Sequence, residues 1–456
     1  MRTKYKFLLV TFLPLLVSCE KFLDQKPDQK LTIPTTLEDL EAMTNDLIFW
    51  GGIDAAAISS DDYTISDANY DGVSSDSHRR MYTWEPYDIF DEGSTSSPWY
   101  RTYNAIYLAN SVEETIIKIG RNAANASKYD NVRGRALFFR GSKLFRASLV
   151  WCEAYDVDQS ASQLGMPIKL DTDFNKRSFR STLQQTYDQI TKDLEAAVKL
   201  LPRTAASLYN PSQLAAYAEL ARVYLYMGNY EKSYAYADTL LGLKSDLMDH
   251  AEIDNTPTYP LPSLNEEVIY VLSIGTPQIL NLTRSLVATD LVDSYEAGDL
   301  RKILYFSANT DGSHGFRGGR YQGGSSLFIG LATDETYLIR AESALRTGRK
   351  QQAIQDINTL LASRWEKVDG ISAYKPIVDM VDSDLLAKIL LERRKSLLYR
   401  GVRWYDLKRL NRDGANITLR RTVKGKEYVL PPNDPRYAIA IPGDIVKMSE
   451  VEQNPR

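Results

Sequence analysis

The chain has 456 residues, with 55 basic and 59 acidic side chains and a formal net charge of −4. This length can bury a large core, and an apolar share of 43% is ordinary for a globular protein, so the composition excludes a largely disordered chain. The mild acidity argues against nucleic acid or anionic lipid as the main partner.

The first nineteen residues predict export and attachment to lipid. Three basic residues precede an apolar run at 7–17, which is too short to cross a bilayer but is typical of a signal-peptide core. The run ends in Leu16-Val17-Ser18-Cys19, which resembles the lipobox of bacterial lipoproteins. We therefore predict a signal peptide at 1–18 and an anchor at Cys19 carrying acyl chains such as palmitate. An ordinary secretory signal with a chance cysteine is the alternative.

The next segments differ in composition. Residues 19–36 carry prolines among polar residues and predict an extended tether between the lipid and a single body at 37–456. A helix is expected over 37–49. Residues 50–98 have loop composition and are predicted to lack helices, yet they are rich in Trp and Tyr. A long loop with its own aromatic residues is usually packed or functional.

Helices dominate from residue 99 onward. Apolar residues recur at helical spacing, and caps or stop signals mark many of the ends. The pattern predicts helices over 105–120, 131–155, 181–201, 212–227, 230–243, 334–347, 350–363 and 382–399, the third with a capping box of Ser181 and Gln184 and with Pro202 past its end. Strands are expected only at 268–273, 428–430 and 438–441.

A weak internal repeat joins two pairs of these helices. Ala221, Leu225 and Gly228 match Ala341, Leu345 and Gly348, and a second helix follows each glycine at once. This pattern resembles the helical hairpin of tetratricopeptide repeats, in which the glycine makes a left-handed turn. Two unrelated hairpins are the alternative. Between the copies, residues 250–330 read as a long irregular insertion.

No motif for catalysis or metal binding stands out. The glycine run at 312–324 lacks the Gly-Lys-Ser/Thr of a phosphate loop, the three histidines are isolated, and no Cys-x-x-Cys occurs. We therefore expect no enzyme activity, no cofactor and no metal site. Paired carboxylates for glycoside hydrolysis stay open, because 59 acids always supply candidates.

The basic run at 391–409 could suggest a nucleic-acid patch. Leu391, Leu397, Leu398 and Trp404 instead indicate a buried face, and acids such as Glu392 and Asp406 offer partners for the arginines. The run therefore favours structural ion pairing. Cys152, in an apolar run, is expected to be buried.

The same run carries a family resemblance. Together with Glu392-Arg393, the stretch Gly401-Val402-Arg403-Trp404-Tyr405-Asp406-Leu407-Lys408-Arg409 resembles the signature of the SusD/RagB family of Bacteroidetes outer-membrane lipoproteins. Further similar pieces follow the family's order, at 19–27, 99–110, 134–140, 338–342, 357–358, 441–442 and 453–455. Arg400 departs from the pattern, since the family usually has Glu there, and this leaves the ligand open.

The resemblance implies a fold and a function. The fold is mainly α, with tetratricopeptide-like hairpins forming a SusD-like α/α superhelix, long irregular loop insertions and minor β structure. The expected partners are a SusC-like TonB-dependent transporter, a glycan, and the outer membrane through acylated Cys19, with the body facing the cell exterior. No nucleic acid and no bond-breaking chemistry are implied.

Sugar faces stack on aromatic rings, so the loop aromatics are the candidate ligand-binding residues. Segments 50–98 and 250–330 would form the ligand face. The candidates are Trp50, Tyr63, Tyr70, Tyr82, Trp84 and Tyr321. Two alternatives remain open: a lid that captures peptides for the same kind of transporter, and an interaction module with little ligand affinity of its own.

Overall fold

The computed structural model describes residues 34–94, 97–317, 321 and 326–456. The predicted signal peptide, Cys19 and nearly all of the predicted tether lie outside these residues. The mainly helical fold class expected above is confirmed. In the described ranges, the helices are α1 (Leu37–Met43), α2 (Ala55–Ser59), α3 (Asp67–Asp71), α4 (Asp76–Tyr82), α5 (Pro98–Ile119), α6 (Ala126–Trp151), α7 (Leu183–Leu200), α8 (Gln213–Met227), α9 (Tyr230–Leu243), α10 (Thr289–Asp293), α11 (Arg301–Tyr305), α12 (Thr333–Arg346), α13 (Lys350–Ala362), α14 (Asp382–Ser396), α15 (Arg403–Arg412) and α16 (Gly443–Met448).

Strand structure is limited to short antiparallel pairs. The strands are β1 (Tyr63–Ile65), β2 (Val268–Tyr270), β3 (Ser273–Ile274), β4 (Ser285–Val287), β5 (Phe306–Ala308), β6 (His314–Phe316), β7 (Leu327–Phe328), β8 (Leu331–Ala332), β9 (Lys367–Val368), β10 (Ile371–Ser372), β11 (Leu419–Val423) and β12 (Lys426–Leu430). The pair β1–β4, in which Tyr63 lies opposite Val287, joins the segment at 50–98 to the insertion at 250–330.

The two predicted hairpins form and pack together. Gly228 and Gly348 have φ of +75° and +80°, so each supplies the left-handed turn between its helices. Helix α9 of the first hairpin packs against α12 of the second, with Ala221, Leu225 and Ala237 in one cluster with Ile339. Hairpins 120 residues apart in sequence are therefore neighbours in the fold.

Helix α6 lies at the centre of the helical body. Nearly every residue from Gly134 to Trp151 is buried, and Cys152 directly after it is buried as expected. Two glycines allow α7 to approach closely. A Cβ on Gly134 would lie 2.9 Å from Cγ of Leu201, and one on Gly141 would lie 3.1 Å from Cγ of Leu194. A larger side chain at either position would push the two helices apart.

The basic run at 391–409 forms structural ion pairs, as predicted. Arg393 donates from Nε to Asp406 at 2.9 Å and also pairs with Glu335, while Arg409 bonds both oxygens of Glu342 at 2.6 and 2.9 Å. These groups are all buried. Buried charges of this kind need opposite charges as partners, and residues of α12, α14 and α15 supply them, although Nη1 of Arg393 has no hydrogen-bond partner among the described residues.

Several sequence predictions need correction. Segment 50–98 contains the short helices α2 to α4, two of which are capped by Ser66 and Ser75. The capping box of α7 is made by Thr182 and Gln185, one residue later than expected. Leu391, predicted to be buried, is 37% exposed.

The predicted strand at 438–441 is also wrong. The segment is buried, but its backbone hydrogen bonds go to the end of a helix and to a side chain, and not to a neighbouring strand. Ile439 N donates to the carbonyl of Val150 at 2.9 Å, and the Asn454 amide donates to the carbonyl of Ile439 at 2.9 Å.

Candidate ligand-binding site

Three of the six candidate aromatics surround one arginine of the chain itself. Arg421, on β11, places its guanidinium 3.9 Å from the ring centre of Tyr82, 4.6 Å from that of Trp84 and 5.1 Å from that of Tyr63. All three rings are at least 95% buried. Their faces are therefore covered by protein.

The polar tips of these rings are also engaged. The indole N–H of Trp84 donates to the carbonyl of Ser59 at 2.9 Å, and the hydroxyl of Tyr63 donates to the carbonyl of Ile58 at 2.7 Å. Burial raises the pKa of Tyr63 well above its ordinary value. Tyr63, Tyr82 and Trp84 thus hold segment 50–94 together around Arg421. This arrangement of the described residues leaves them no free face for a ligand.

Tyr321 and Tyr70 lie in different surroundings. Tyr321 is 1% exposed, packs on Phe328 and donates its hydroxyl toward Glu267 at 3.3 Å. Tyr70, on α3, is half-buried, with its ring centre 6.1 Å from that of Tyr82. Tyr321 is therefore part of the core, and Tyr70 lies at the margin of the aromatic cluster.

Trp50 is the candidate that combines partial exposure with a cavity. It ends a 3-10 helix at 47–49, and its carbonyl accepts from Ser273 N at 3.0 Å, which ties the Trp50 turn to the insertion. Its ring packs on Tyr209 with ring centres 5.0 Å apart, and its indole N–H has no hydrogen-bond partner among the described residues. Trp50 lines a groove of about 540 Å³, named here the Trp50 groove.

Four polar residues from different elements line the same groove. They are Asp54 before α2, His78 on α4, Arg101 on α5 and Gln278 in the insertion. His78 Nε2 lies 3.8 Å from the Asp54 carboxylate, while its Nδ1 has no partner within the described structure. Burial lowers the pKa of His78 despite the opposing effect of Asp54, so the ring is neutral at pH 7 and can donate or accept.

Sequence reasoning predicted Trp50 but missed its polar neighbours. Each of the four is an ordinary polar residue in its own segment, and no spacing pattern connects them. The one available signal was their position within or next to the two segments expected to form the ligand face. Their convergence depends on the bridge between Gly51 and Ser273 and on the packing of α4 against the insertion.

A second cleft shares no lining residue with the Trp50 groove. It has a volume of about 320 Å³ and is lined mainly by polar residues, among them Glu153, Asp156, Lys408, Arg412 and Tyr437. Tyr437 is buried and packs on Trp404. The cleft therefore lacks the half-exposed ring that distinguishes the Trp50 groove.

The described residues contain neither a candidate metal cluster nor a candidate membrane span. In these ranges no three or more His, Cys, Asp or Glu side chains come together in a way that could hold a metal ion. No helix formed by the described residues has both the length and the apolar character needed to cross a membrane.

Comparison with known families connects both halves of the chain to one group. A family model described as "Starch-binding associating with outer membrane" matches residues 21–225, and one described as "SusD family" matches residues 322–441. The SusD-like protein P38 of Formosa agariphila is 23% identical to this chain, and the match covers 90% of this chain and 92% of that protein.

Solved structures share the fold. A putative sugar-binding protein from Bacteroides vulgatus matches with a TM-score of 0.74 and 20% identity, over 93% of this chain and 99% of that one. A SusD superfamily protein from Bacteroides thetaiotaomicron matches with a TM-score of 0.73 and 21% identity, over 92% of this chain and all of that one. A SusD-like carbohydrate-binding protein from Bacteroides vulgatus matches with a TM-score of 0.69 and 19% identity, over 91% of this chain and 97% of that one.

Proposed function

This chain belongs to the SusD family, and on that premise we propose that it binds an oligosaccharide or polysaccharide in the Trp50 groove and delivers it to a SusC-like, TonB-dependent outer-membrane transporter. The protein breaks no bond of the ligand; it captures the glycan and releases it to the transporter. The sugar-binding and carbohydrate-binding descriptions of two structural relatives support a glycan over a peptide.

The observation that carries this proposal is the half-buried indole of Trp50 above a polar groove. Sugar rings have C–H faces that pack on aromatic rings and hydroxyls that need hydrogen-bond partners. Asp54, Arg101 and Gln278 line the groove and supply acceptors and donors around that ring, whereas the indole N–H and Nδ1 of His78 are buried. A pyranose lying on Trp50 could use both properties at once.

The remaining parts of the proposal concern attachment. The signal peptide at 1–18 is removed, acylated Cys19 anchors the chain in the outer membrane, and the tether at 19–36 lets the body at 37–456 move at the cell exterior. More than one acyl chain is needed for stable anchoring. Labelling of cells with radioactive palmitate tests this part, with Cys19→Ala as the unlabelled control. A labelled Cys19→Ala protein would refute it.

Binding by the purified mature protein tests the central proposal. Covering about 80 Å² of the indole face at ~25 cal/mol/Å² contributes about 2 kcal/mol, so Trp50→Ala should weaken glycan binding roughly 30-fold. Affinity electrophoresis against a glycan panel, followed by calorimetry, measures the loss. Phe174→Ala is the matched control, because Phe174 is 80% exposed and packs on Tyr107 outside the groove.

The outcomes separate the alternatives. Glycan binding that Trp50→Ala leaves intact would place the site elsewhere. Binding of peptides but of no glycan would favour the peptide-capturing lid. No ligand binding by the isolated protein, together with tight binding to the transporter, would favour the interaction module.

A further inference from the structure

A smaller pocket adjoins the Trp50 groove and has a basic lining. It has a volume of about 80 Å³ and shares Leu47, Gly51, Gly52 and Arg101 with the groove. Lys143 and Arg146 of α6 line it together with Arg101 of α5. We name it the basic side pocket. It has room for a few water molecules or one small charged group, but not for a sugar ring.

The positive charges in this pocket exceed their acidic partners. The Lys143 ammonium donates to the carbonyls of Ile48 and Gly51, at 2.9 and 2.5 Å. Arg101 likewise donates to the carbonyl of Gly52 at 3.1 Å. These contacts with neutral carbonyls satisfy donors, but they do not neutralise either cation.

Arg146 does not balance the pocket either. It lies 3.4 Å from Glu219, but that carboxylate lies equally close to Arg222. Arg146 is 8% exposed, and its Nε has no hydrogen-bond partner in the part of the chain that the structure describes. An ammonium also has three N–H donors, of which the two carbonyls use two. The pocket therefore offers positive charge and the third N–H of the Lys143 ammonium, while the unpaired Nε of Arg146 is buried.

Burial makes this arrangement unfavourable when the pocket is empty. Lys143 is 8% exposed, and desolvation together with the charges of Arg146 and Arg101 lowers the pKa of Lys143 to about 7. A bound anion would counter the lowering of this pKa, because an opposite charge favours the protonated ammonium. A neutral ligand would supply no such charge.

We propose that the glycan taken by the Trp50 groove is acidic, and that a carboxylate or sulfate group on its sugar is bound in the basic side pocket by Lys143, Arg101 and Arg146. This inference rests on the proposed glycan-binding function and specifies the substrate class. The sugar ring lies on Trp50, and its acidic substituent points past Gly51 and Gly52 into the pocket.

A glycan array with matched acidic and neutral members tests the inference. It carries oligogalacturonides with their methyl esters, and sulfated galactans with their desulfated forms, beside neutral xylo- and malto-oligosaccharides. The acidic member of a bound pair should bind at least tenfold more tightly than its neutral partner, and the difference should shrink as salt is added. Hits confined to neutral glycans would overturn the inference and leave the proposed function standing.

Variants distinguish an anion contact from a structural role, since Lys143 also holds the Trp50 turn. Lys143→Met should reduce affinity for the acidic glycan ten- to a hundredfold and bring it to that of the neutral partner. Lys128→Met, on the same helix but in a surface pair with Glu38, should change neither affinity. Equal losses for acidic and neutral glycans would show a structural role and refute the inference.

A second variant guards against misfolding of the first. Arg101 is exposed, so Arg101→Gln should keep the wild-type melting temperature while weakening the acidic glycan about tenfold. Unchanged discrimination in Arg101→Gln and in a folded Lys143→Met would refute the anion site. A wild-type protein that binds no glycan on the array would refute the proposed function itself.

Discussion

The aromatic cage around Arg421 should be a stability element, and Arg421→Met tests this directly. The guanidinium donates to the buried carbonyls of Tyr82 and Ser60 and lies against three aromatic rings. Leaving two buried carbonyls unpaired costs about 1–3 kcal/mol each, and loss of a desolvated cation–π contact costs about 2 kcal/mol. The methionine keeps much of the apolar stem, so these contributions together give an expected loss of about 4–8 kcal/mol.

The melting temperature converts this loss into a measurable shift. Unfolding entropy is about 2.1 cal/mol/K per residue, or roughly 0.9 kcal/mol/K for the folded body, so Arg421→Met should melt about 4–9 °C lower. Limited proteolysis should also cut segment 50–94 earlier, because the cage joins that segment to β11. Differential scanning calorimetry and mass spectrometry of the fragments measure the two effects.

Arg420→Met is the matched control for the same strand. Arg420 points to the opposite face of β11, is mostly exposed and pairs with Glu427 at 2.9 Å. An exposed pair of this kind contributes roughly 0–1 kcal/mol. Equal shifts in the two variants, or a change below 1 °C in Arg421→Met with normal proteolysis, would refute the reasoning about the cage.

Three further predictions concern charge. Glu335→Gln leaves the buried guanidinium groups of Arg222 and Arg393 without this carboxylate, so it should cost about 3–5 kcal/mol and lower the melting temperature by about 3–6 °C. Glu427→Gln on the surface should cause no such change, and equal effects of the two variants would refute the ion-pair argument. The pKa values of Glu335, Glu342 and Glu392 are lowered to about 2. The stability that these ionised carboxylates contribute is complete above about pH 4.5 and is lost as the pH falls through 2. The midpoint of urea unfolding should therefore drop steeply between pH 4.5 and 2. A midpoint that does not change with pH in this range would contradict the prediction. A pKa of about 7 leaves Lys143 mostly neutral at pH 8, so binding of an acidic glycan should be accompanied by uptake of most of a proton. Calorimetry in phosphate and in Tris, which differ in ionisation enthalpy, measures this proton uptake. Lys143→Met should abolish the uptake, and uptake that persists in this variant would contradict the prediction.

Much of the fold was predictable because helices are encoded locally. The periodicity, the glycines at 228 and 348 and the proline near 211 located α8, α9, α12 and α13 to within a residue or two. One error arose because two adjacent residues could serve the same role. Ser181 and Thr182 can both cap α7, and only the backbone geometry decides between them.

The candidate site was less predictable, because an aromatic residue has the same local pattern in a core and in a binding site. The sequence placed many rings in segment 50–98 but contained no sign of which faces would be covered. Their faces are covered by Arg421, which lies 339 residues after Tyr82 in the sequence. The same contact that stabilises the segment removes Tyr63, Tyr82 and Trp84 from contact with solvent.

The sequence by itself indicated the family, the helical hairpins and the ion pairs within the basic run, such as Arg393 with Asp406, because each depends on residues close together in the chain. It also predicts an export signal. The more distant partners Glu335 and Glu342 joined the network only through the tertiary structure. Only the tertiary structure decided which aromatic residue stays accessible and what surrounds it. The Trp50 groove and its basic side pocket combine residues near 50, 78, 101, 143 and 278. Side chains so far apart in sequence acquire a common chemical role only when packing brings them within a few ångströms of one another.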